Sequence, residues 1–398
     1  MKEIFKRYIK PHLPSLVCSL LLCILIALPT GYEDAVIYQG TDRCRAEVLK
    51  TDESTVISSG LIRSGEQVCQ VKLLGGRFKG QEAEAYNMLS GSLETDKIYE
   101  VGDIALVVIS YQDDDILSIN MIDHYRVDKE FALMLIFSVV LVIFARSIGL
   151  KSLLSFAISV LSIWKILVPS CLNGMNPIFT GLGIITVLTV VIISLVYGYD
   201  RRFFAASAGV MLGVITTCIL GIIFTDLFKI HGAVMSYSES LLYAGYQHLN
   251  LTQIFMASIF IGASGAIMDI AVDITSAVNE VVEKKPDISV KEAIMSGIHV
   301  GRAAMGTMTT TLLLAYSGGY LALLMVFMAQ GTPIYNILNY KYVSAEILHT
   351  IVGSFGLVAV APFTALMSGC LLVRKRKQYN CLSSSFSRII RLWTNKTE

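Results

Sequence analysis

Residues 253–277 read QIFMASIFIGASGAIMDIAVDITSA, 25 residues with two charges, Asp269 and Asp273. A helix needs about 20 mostly apolar residues to cross about 30 Å of hydrocarbon, so this stretch is read as a membrane span. Working outward, the runs 14–30, 131–145, 152–172, 177–197, 204–225, 305–328 and 347–373 meet the same test. The expected fold is an α-helical integral membrane protein with about eight transmembrane helices.

Composition agrees. The 398 residues are 54% hydrophobic and 16% charged, with a mean hydropathy of +0.63. A soluble domain carries roughly 25% charged residues, and a water-facing surface cannot be built from less polar material of this kind. The charges are also unevenly placed. Residues 31–130 hold 10 Lys/Arg and 19 Asp/Glu, net −9, while the rest of the chain holds 22 and 12, net +10. An acidic extramembrane block beside a basic membrane body argues against nucleic acid as a partner and leaves the lipid bilayer as the body's environment.

Positive residues resist translocation, so the basic clusters fix an expected orientation. Lys2, Lys6, Arg7 and Lys10 put the N-terminus inside. Counting spans from there also puts inside Arg146 with Lys151, Arg201 with Arg202, and Lys284, Lys285, Lys291 and Arg302, followed by the basic run 374–377. A cleaved secretory signal is the alternative for the first run, although no small-x-small cleavage site follows it. Either way residues 31–130 lie outside. The expected layout is an anchor at 1–30, an extracytoplasmic β domain at 31–130, a seven-helix membrane domain at 131–373 and a basic cytoplasmic tail at 374–398, with both termini cytoplasmic.

In the external block the pattern shortens to alternating runs at 70–74, 98–101 and 104–109, broken by glycines at 75, 76, 80 and 102. That is the signature of a small antiparallel β barrel. Cys44 and Cys69 face an oxidising compartment, which leaves open a disulfide between them or two buried thiols. Cys18, Cys23, Cys171, Cys218, Cys370 and Cys381 have no metal-ligand spacing and read as packing residues. Asp113, Asp114 and Asp115 point different ways on a strand and mark a solvated turn more readily than a cation site.

Candidate chemistry lies in the span quoted first. Steps of four place Ser258, Gly262 and Ala266 on one helix stripe, with Asp269, Asp273 and Ala277 close beside it, and Gly265 is a further candidate site residue. An ionised carboxylate in the bilayer costs roughly 2.5 to 3.5 kcal/mol on insertion scales, so both acids are expected to turn toward neighbouring helices or a wet cavity rather than lipid. A capping-box pattern follows at Ser289 and Glu292. Arg302 is positioned to neutralise either acid, Thr307, Thr310 and Thr311 add hydroxyls on the cytoplasmic side, and Tyr316 precedes Gly318 and Gly319. Consecutive glycines in mid-span favour local unwinding, which exposes carbonyls able to hold an ion or solute. Lys165 in the third span is expected to snorkel outward.

The run 265–269 with Asp273 and Ser276, the Gly301–Arg302 pair, and 305–308 leading into 311–316 resemble the YibE/F family of bacterial multi-pass membrane proteins. The resemblance covers the layout from about 30 to 372, with its specific residues at 262–319. It implies an extracytoplasmic β domain ahead of a helical body in a bacterial cytoplasmic membrane, and no particular activity. The family pattern often has an acid after the Gly-Arg pair and an Asn before the Thr-Leu pair, where this chain has Ala303 and Thr310.

Two functions fit the residues. One is secondary transport or export of a small solute or ion through Asp269. The other is a non-transporting envelope sensor or assembly scaffold, with a protein partner at the external domain. No phosphate-binding loop, HExxH, CxxC or Ser/His pair occurs, so no enzyme, cofactor or metal is expected.

Overall fold

The computed structural model describes residues 12–33 and 40–373. The basic N-terminus and the 374–398 tail, with the orientation argument drawn from them, lie outside the described residues. The chain divides into two compact units, one of Tyr32–Gly149 and one of Met1–Gly31 with Leu150–Glu398.

The first unit opens with β1 (Thr41–Asp52), β2 (Ile57–Ser59), β3 (Ile62–Leu73), β4 (Glu82–Ser90), β5 (Ile104–Gln112) and β6 (Asp115–His124). The order β1-β5-β6-β4-β3 closes through a β1–β3 pairing into a five-stranded barrel, with β2 a short flap on β3. This circuit is that of the OB-type Greek-key barrel. One contact, Tyr86 with Asn120 between β4 and β6, is parallel, so the barrel is not wholly antiparallel. Period-2 alternation sends Cys44, Ala46 and Val48 inward from β1 and Gln67, Cys69, Val71 and Leu73 inward from β3.

Residues 98–101 form no strand. Gln67, fully buried, instead clamps them: its Nε2 donates to the Tyr99 carbonyl at 2.9 Å and its Oε1 accepts from the Tyr99 amide at 3.1 Å. Asn87 Nδ2 donates to Gln67 Oε1 at 3.1 Å and to the Lys97 carbonyl at 2.6 Å.

Cys44 and Cys69 are free, buried thiols. Cys69 pairs across the sheet with Thr51, seven residues along β1 from Cys44. At about 3.3 Å per residue that separates them by roughly 20 Å, against the roughly 7 Å a disulfide allows, so the bond left open by the sequence is not made. Burial pushes the Cys69 thiol up to about 11. The acidic run forms the β5–β6 hairpin turn, with Asp113 at φ 53° and Asp114 ion-paired to Arg77.

Among the described residues, six helical runs are long and apolar enough to cross a membrane: Val127–Leu172, Pro177–Tyr197, Arg201–Leu227, Leu251–Lys284, Val290–Ala329 and Lys341–Leu372. The apolar helix α1 (Leu13–Ala27) is shorter. The first run begins as α2 (Val127–Ser162) and continues through a π turn at Ile163–Leu167 into α3 (Val168–Leu172). It is no single rod, because Arg146 has a non-helical backbone (φ 49°, ψ −122°). A Cβ on Gly149 would lie 2.6 Å from the Leu141 carbonyl, although eight residues of straight helix would hold them about 12 Å apart. The backbone therefore turns back on itself between Leu141 and Gly149.

The core of the second unit is α4 (Pro177–Tyr197), α5 (Arg201–Leu227), α7 (Leu251–Lys284), α8 (Val290–Ser317) and α11 (Lys341–Leu372), with α6 (Ser238–Tyr243), α9 (Leu321–Ala329) and α10 (Ile334–Asn339) in the connections. Each long helix starts where a side chain can take its orphan amides. Asn176, Asp200 and Asn250 cap α4, α5 and α7, and Ser289 with Glu292 forms the capping box of α8 that their spacing predicts.

The helices approach closely through small residues, the usual packing of membrane bundles. Gly209 and Gly213 of α5 meet Thr364 and Val360 of α11, and Gly297 and Gly301 of α8 meet Ala365 and Ala361. The Lys165 ammonium bonds the Leu28 carbonyl at 2.8 Å, placing a cation at the C-terminal end of α1.

Candidate functional site: the uncovered face of α7

α7 has two faces. Ala263, Ile267, Ile270, Ala271 and Ile274 are fully buried. Gly213 and Gly356 let α5 and α11 close on Ile267, for a Cβ on either would come within 3.1 and 2.8 Å of it. The other face carries Gly262, Gly265, Asp269, Asp273 and Ser276, all exposed. The expected stripe is therefore real, but its carboxylates are not enclosed by helices of the same chain. The buried face is taken by isoleucines that fill the glycine notches of α5 and α11, which leaves the polar stripe on the side where α4 and α8 stand apart.

Aromatic groups bound this trough at both ends. Toward the end of α7, the Tyr197 hydroxyl of α4 donates to the Val272 carbonyl at 2.6 Å and lies 2.7 Å from Ser276 Oγ. The Arg202 guanidinium sits 5.1 Å over the Tyr197 ring and pairs with Asp200 at 2.7 Å. Toward the start of α7, Tyr316 of α8 and His349 of α11 converge on Gly262. A Cβ there would lie 2.6 Å from Tyr316 Oη and 3.2 Å from His349 Nε2, so the glycine makes room for both. Between the two ends, a Cβ on Gly265 would meet nothing within 4 Å.

The register of α8 against α7 decides which predicted groups join this trough. Gly297 meets Val278 and Gly301 meets Ile274, so each step up α8 matches a step down α7. That puts Arg302 level with Asp273, and Thr309 about two to three residues, roughly 4 Å, from the level of Asp269. At about 100° per residue, Arg302 and Thr309 share the side of α8 that carries Tyr316, while Thr307, Thr310 and Thr311 lie some 120 to 180° round the helix. The structure thus brings Asp269, Asp273, Gly265 and Tyr316 to one trough, register alone sets Arg302 at the level of Asp273, and the three threonines lie round the helix from Tyr316. Thr307 and Thr311 are exposed and bond back to the Ala304 and Thr307 carbonyls. Gly318 and Gly319 are exposed and form, with Tyr320, a 3₁₀ turn between α8 and α9; the backbone tightens there and stays helical at Gly318 (φ −57°, ψ −38°) instead of unwinding.

Sequence reasoning missed Glu346 and His349. Both sit one turn apart on α11, with the His349 ring 4.6 Å from that of Tyr316 and the Glu346 carboxylate hydrogen-bonded to the Tyr320 phenol. Two ionisable residues three apart in an apolar helix were the available signal.

No curated protein and no solved structure matches the chain. Residues 133–374, which contain the α7 stripe and Glu346 with His349 but not the barrel, match the family described as YibE/F-like protein. Since that match spans more than half of the 398 residues, the chain belongs to the YibE/F-like family.

Proposed function

We infer that this protein is a secondary transporter or exporter of a small solute or ion, not an enzyme, and that Asp269 is its proton or cation acceptor. The observation that carries this reading is the uncovered face of α7: two carboxylates and two glycines in a row, bounded by Tyr197 at one end and by Tyr316 with His349 at the other. An ionised carboxylate held against acyl chains costs roughly 2.5 to 3.5 kcal/mol, so such a face is favourable only when wetted. A wetted groove with an acid near its middle is what a coupling site requires.

The orientation that goes with this reading has eight spans, counting α1 and both halves of Val127–Leu172, in the cytoplasmic membrane of a bacterial cell. Both termini lie inside and residues 31–130 outside. Its support is the agreement of the basic clusters and the reversal at Arg146. An impermeant thiol reagent applied from outside should label a cysteine at position 60 and spare one at 285; the reverse would invert the topology.

Flux into proteoliposomes under an imposed proton gradient tests the function. Asp269→Asn should abolish it while the protein inserts normally, and unchanged flux would refute the reading.

A second reading, a sensor or scaffold acting through the barrel, has its own support. Ile57, Leu61, Ile62, Met88 and Leu93 expose apolar side chains on the β2–β3 flap and the neighbouring end of β4, where a protein partner could seat. This reading tolerates Asp269→Asn and is lost with Leu61→Asp.

A further inference from the structure

Within the helical body, two ionisable side chains among the described residues hold a buried acceptor atom with no partner: Glu346 Oε1 and His349 Nε2. They lie three residues apart on α11 and so on one face, with Cβ atoms about 5 to 6 Å apart. The Glu346 carboxylate accepts from the Tyr320 phenol, and the imidazole bonds the backbone of Ser258 on α7. An imidazole that donates one N–H to a carbonyl carries a lone pair on its second nitrogen when neutral. The cluster therefore presents two lone-pair acceptors one turn apart on α11, with the Tyr316 hydroxyl near Nε2 at Gly262.

A buried polar atom left unsatisfied costs about 1 to 3 kcal/mol, so this arrangement is unfavourable unless something fills it. Protonation of either residue would give it a hydrogen to donate where each now offers only a lone pair. The surroundings supply no competing charge. α8 and the 3₁₀ turn contribute the phenols of Tyr316 and Tyr320, and α7 contributes Ser258 and the Phe255 ring.

We propose that Glu346 and His349 are a second proton-binding site, at the end of the bundle where α7 begins and α8 ends. His349 Nε2 and the Tyr316 hydroxyl meet at Gly262, the first residue of the Asp269 stripe, so the pair stands at the mouth of the same trough, two helical turns from Asp269. Its role in coupling rests on the transport reading above; proton binding itself does not.

The test is infrared difference spectroscopy of the full-length protein in nanodiscs as the pH is stepped. Wild type should gain a protonated-carboxyl band that Glu346→Gln removes and Asp269→Asn leaves in place. His349→Gln should move the midpoint of that band by about one pH unit, a tenfold change in proton affinity. Tyr320→Phe, which keeps both ionisable groups and removes only the phenol, should also move it, and serves if Glu346→Gln does not fold. Spectra of wild type and Glu346→Gln that coincide, or a midpoint indifferent to both His349→Gln and Tyr320→Phe, would overturn the proposal. Flux insensitive to Asp269→Asn would sink the transport reading while leaving this titration standing, so the two failures are distinct.

Discussion

The barrel and the helical body both bury amides, carboxylates or rings, and they treat them differently. In the barrel, Gln67 and Asn87 occupy inward positions of the strand alternation and are hydrogen-bonded to each other and to the segment 97–99. In the body, Glu346 and His349 each keep an acceptor atom without a partner, and Asp269 and Asp273 stand on a face that the other helices leave open. A satisfied network fixes a fold. An unsatisfied one of ionisable groups has a vacancy for something that comes and goes. The contrast locates the chemistry in the body and assigns the Gln67–Asn87 amide network to structure, although the barrel also buries one phenol oxygen, that of Tyr99, without a partner.

The strongest way to break this contrast is to spoil the packing that exposes the stripe. A Cβ on Gly356 already overlaps the Thr217 hydroxyl and would lie 2.8 Å from Ile267. Gly356→Leu should cost about 3 kcal/mol or more, by analogy with overpacked cores. The expected result is loss of monodisperse protein on size-exclusion chromatography, whereas Gly265→Leu, on the open face, should leave the elution unchanged.

A smaller effect sharpens the other half. Gln67→Ala strips partners from the Tyr99 amide and carbonyl and from Asn87, each costing about 1 to 3 kcal/mol. Hydrogen exchange in the full-length protein should speed up at 97–99 and within β3 and β4. Glu346→Gln, which removes no satisfied carboxylate network, should leave protection of α11 nearly unchanged.

The smallest effect concerns alkali. Burial raises the Cys69 thiol from 9.0 in the unfolded chain to about 11. The folded barrel thus holds the neutral thiol, and this contribution is complete below pH 9 and lost as pH rises through about 11. Thermal melts followed by tyrosine fluorescence should show that decline, and Cys69→Ala should lack it. At pH 8 iodoacetamide should leave Cys69 unmodified until the protein unfolds, because little thiolate is present.

Local signals in the sequence carried much of this architecture. Ser289 and Glu292 announce the start of α8, the glycine pair at 318 and 319 announces its interruption, and apolar length alone places the long helices. Residues 98–101 misled because their alternation is that of a strand, while a side chain thirty residues earlier, Gln67, holds them off the sheet. The α7 stripe follows from 3.6-residue periodicity, but whether it faces inward depends on which helices carry the glycine notches, and that is tertiary. Thr307, Thr310 and Thr311 sit at the right depth on the wrong side of α8, a distinction that needs the register with α7. Glu346 fell just outside the apolar run beginning at 347, so its place one turn before His349 was cut off by a boundary rather than by chemistry.

The central claim is that the carboxylate face of α7 meets water and not lipid. Cysteines introduced at Gly265 and Ser276, compared with one at Leu314 on the exposed apolar face of α8, test it most directly in intact membranes. The account predicts that a charged, lipid-insoluble thiol reagent modifies the first two and spares the third. Modification of all three only by a lipid-soluble reagent would contradict it.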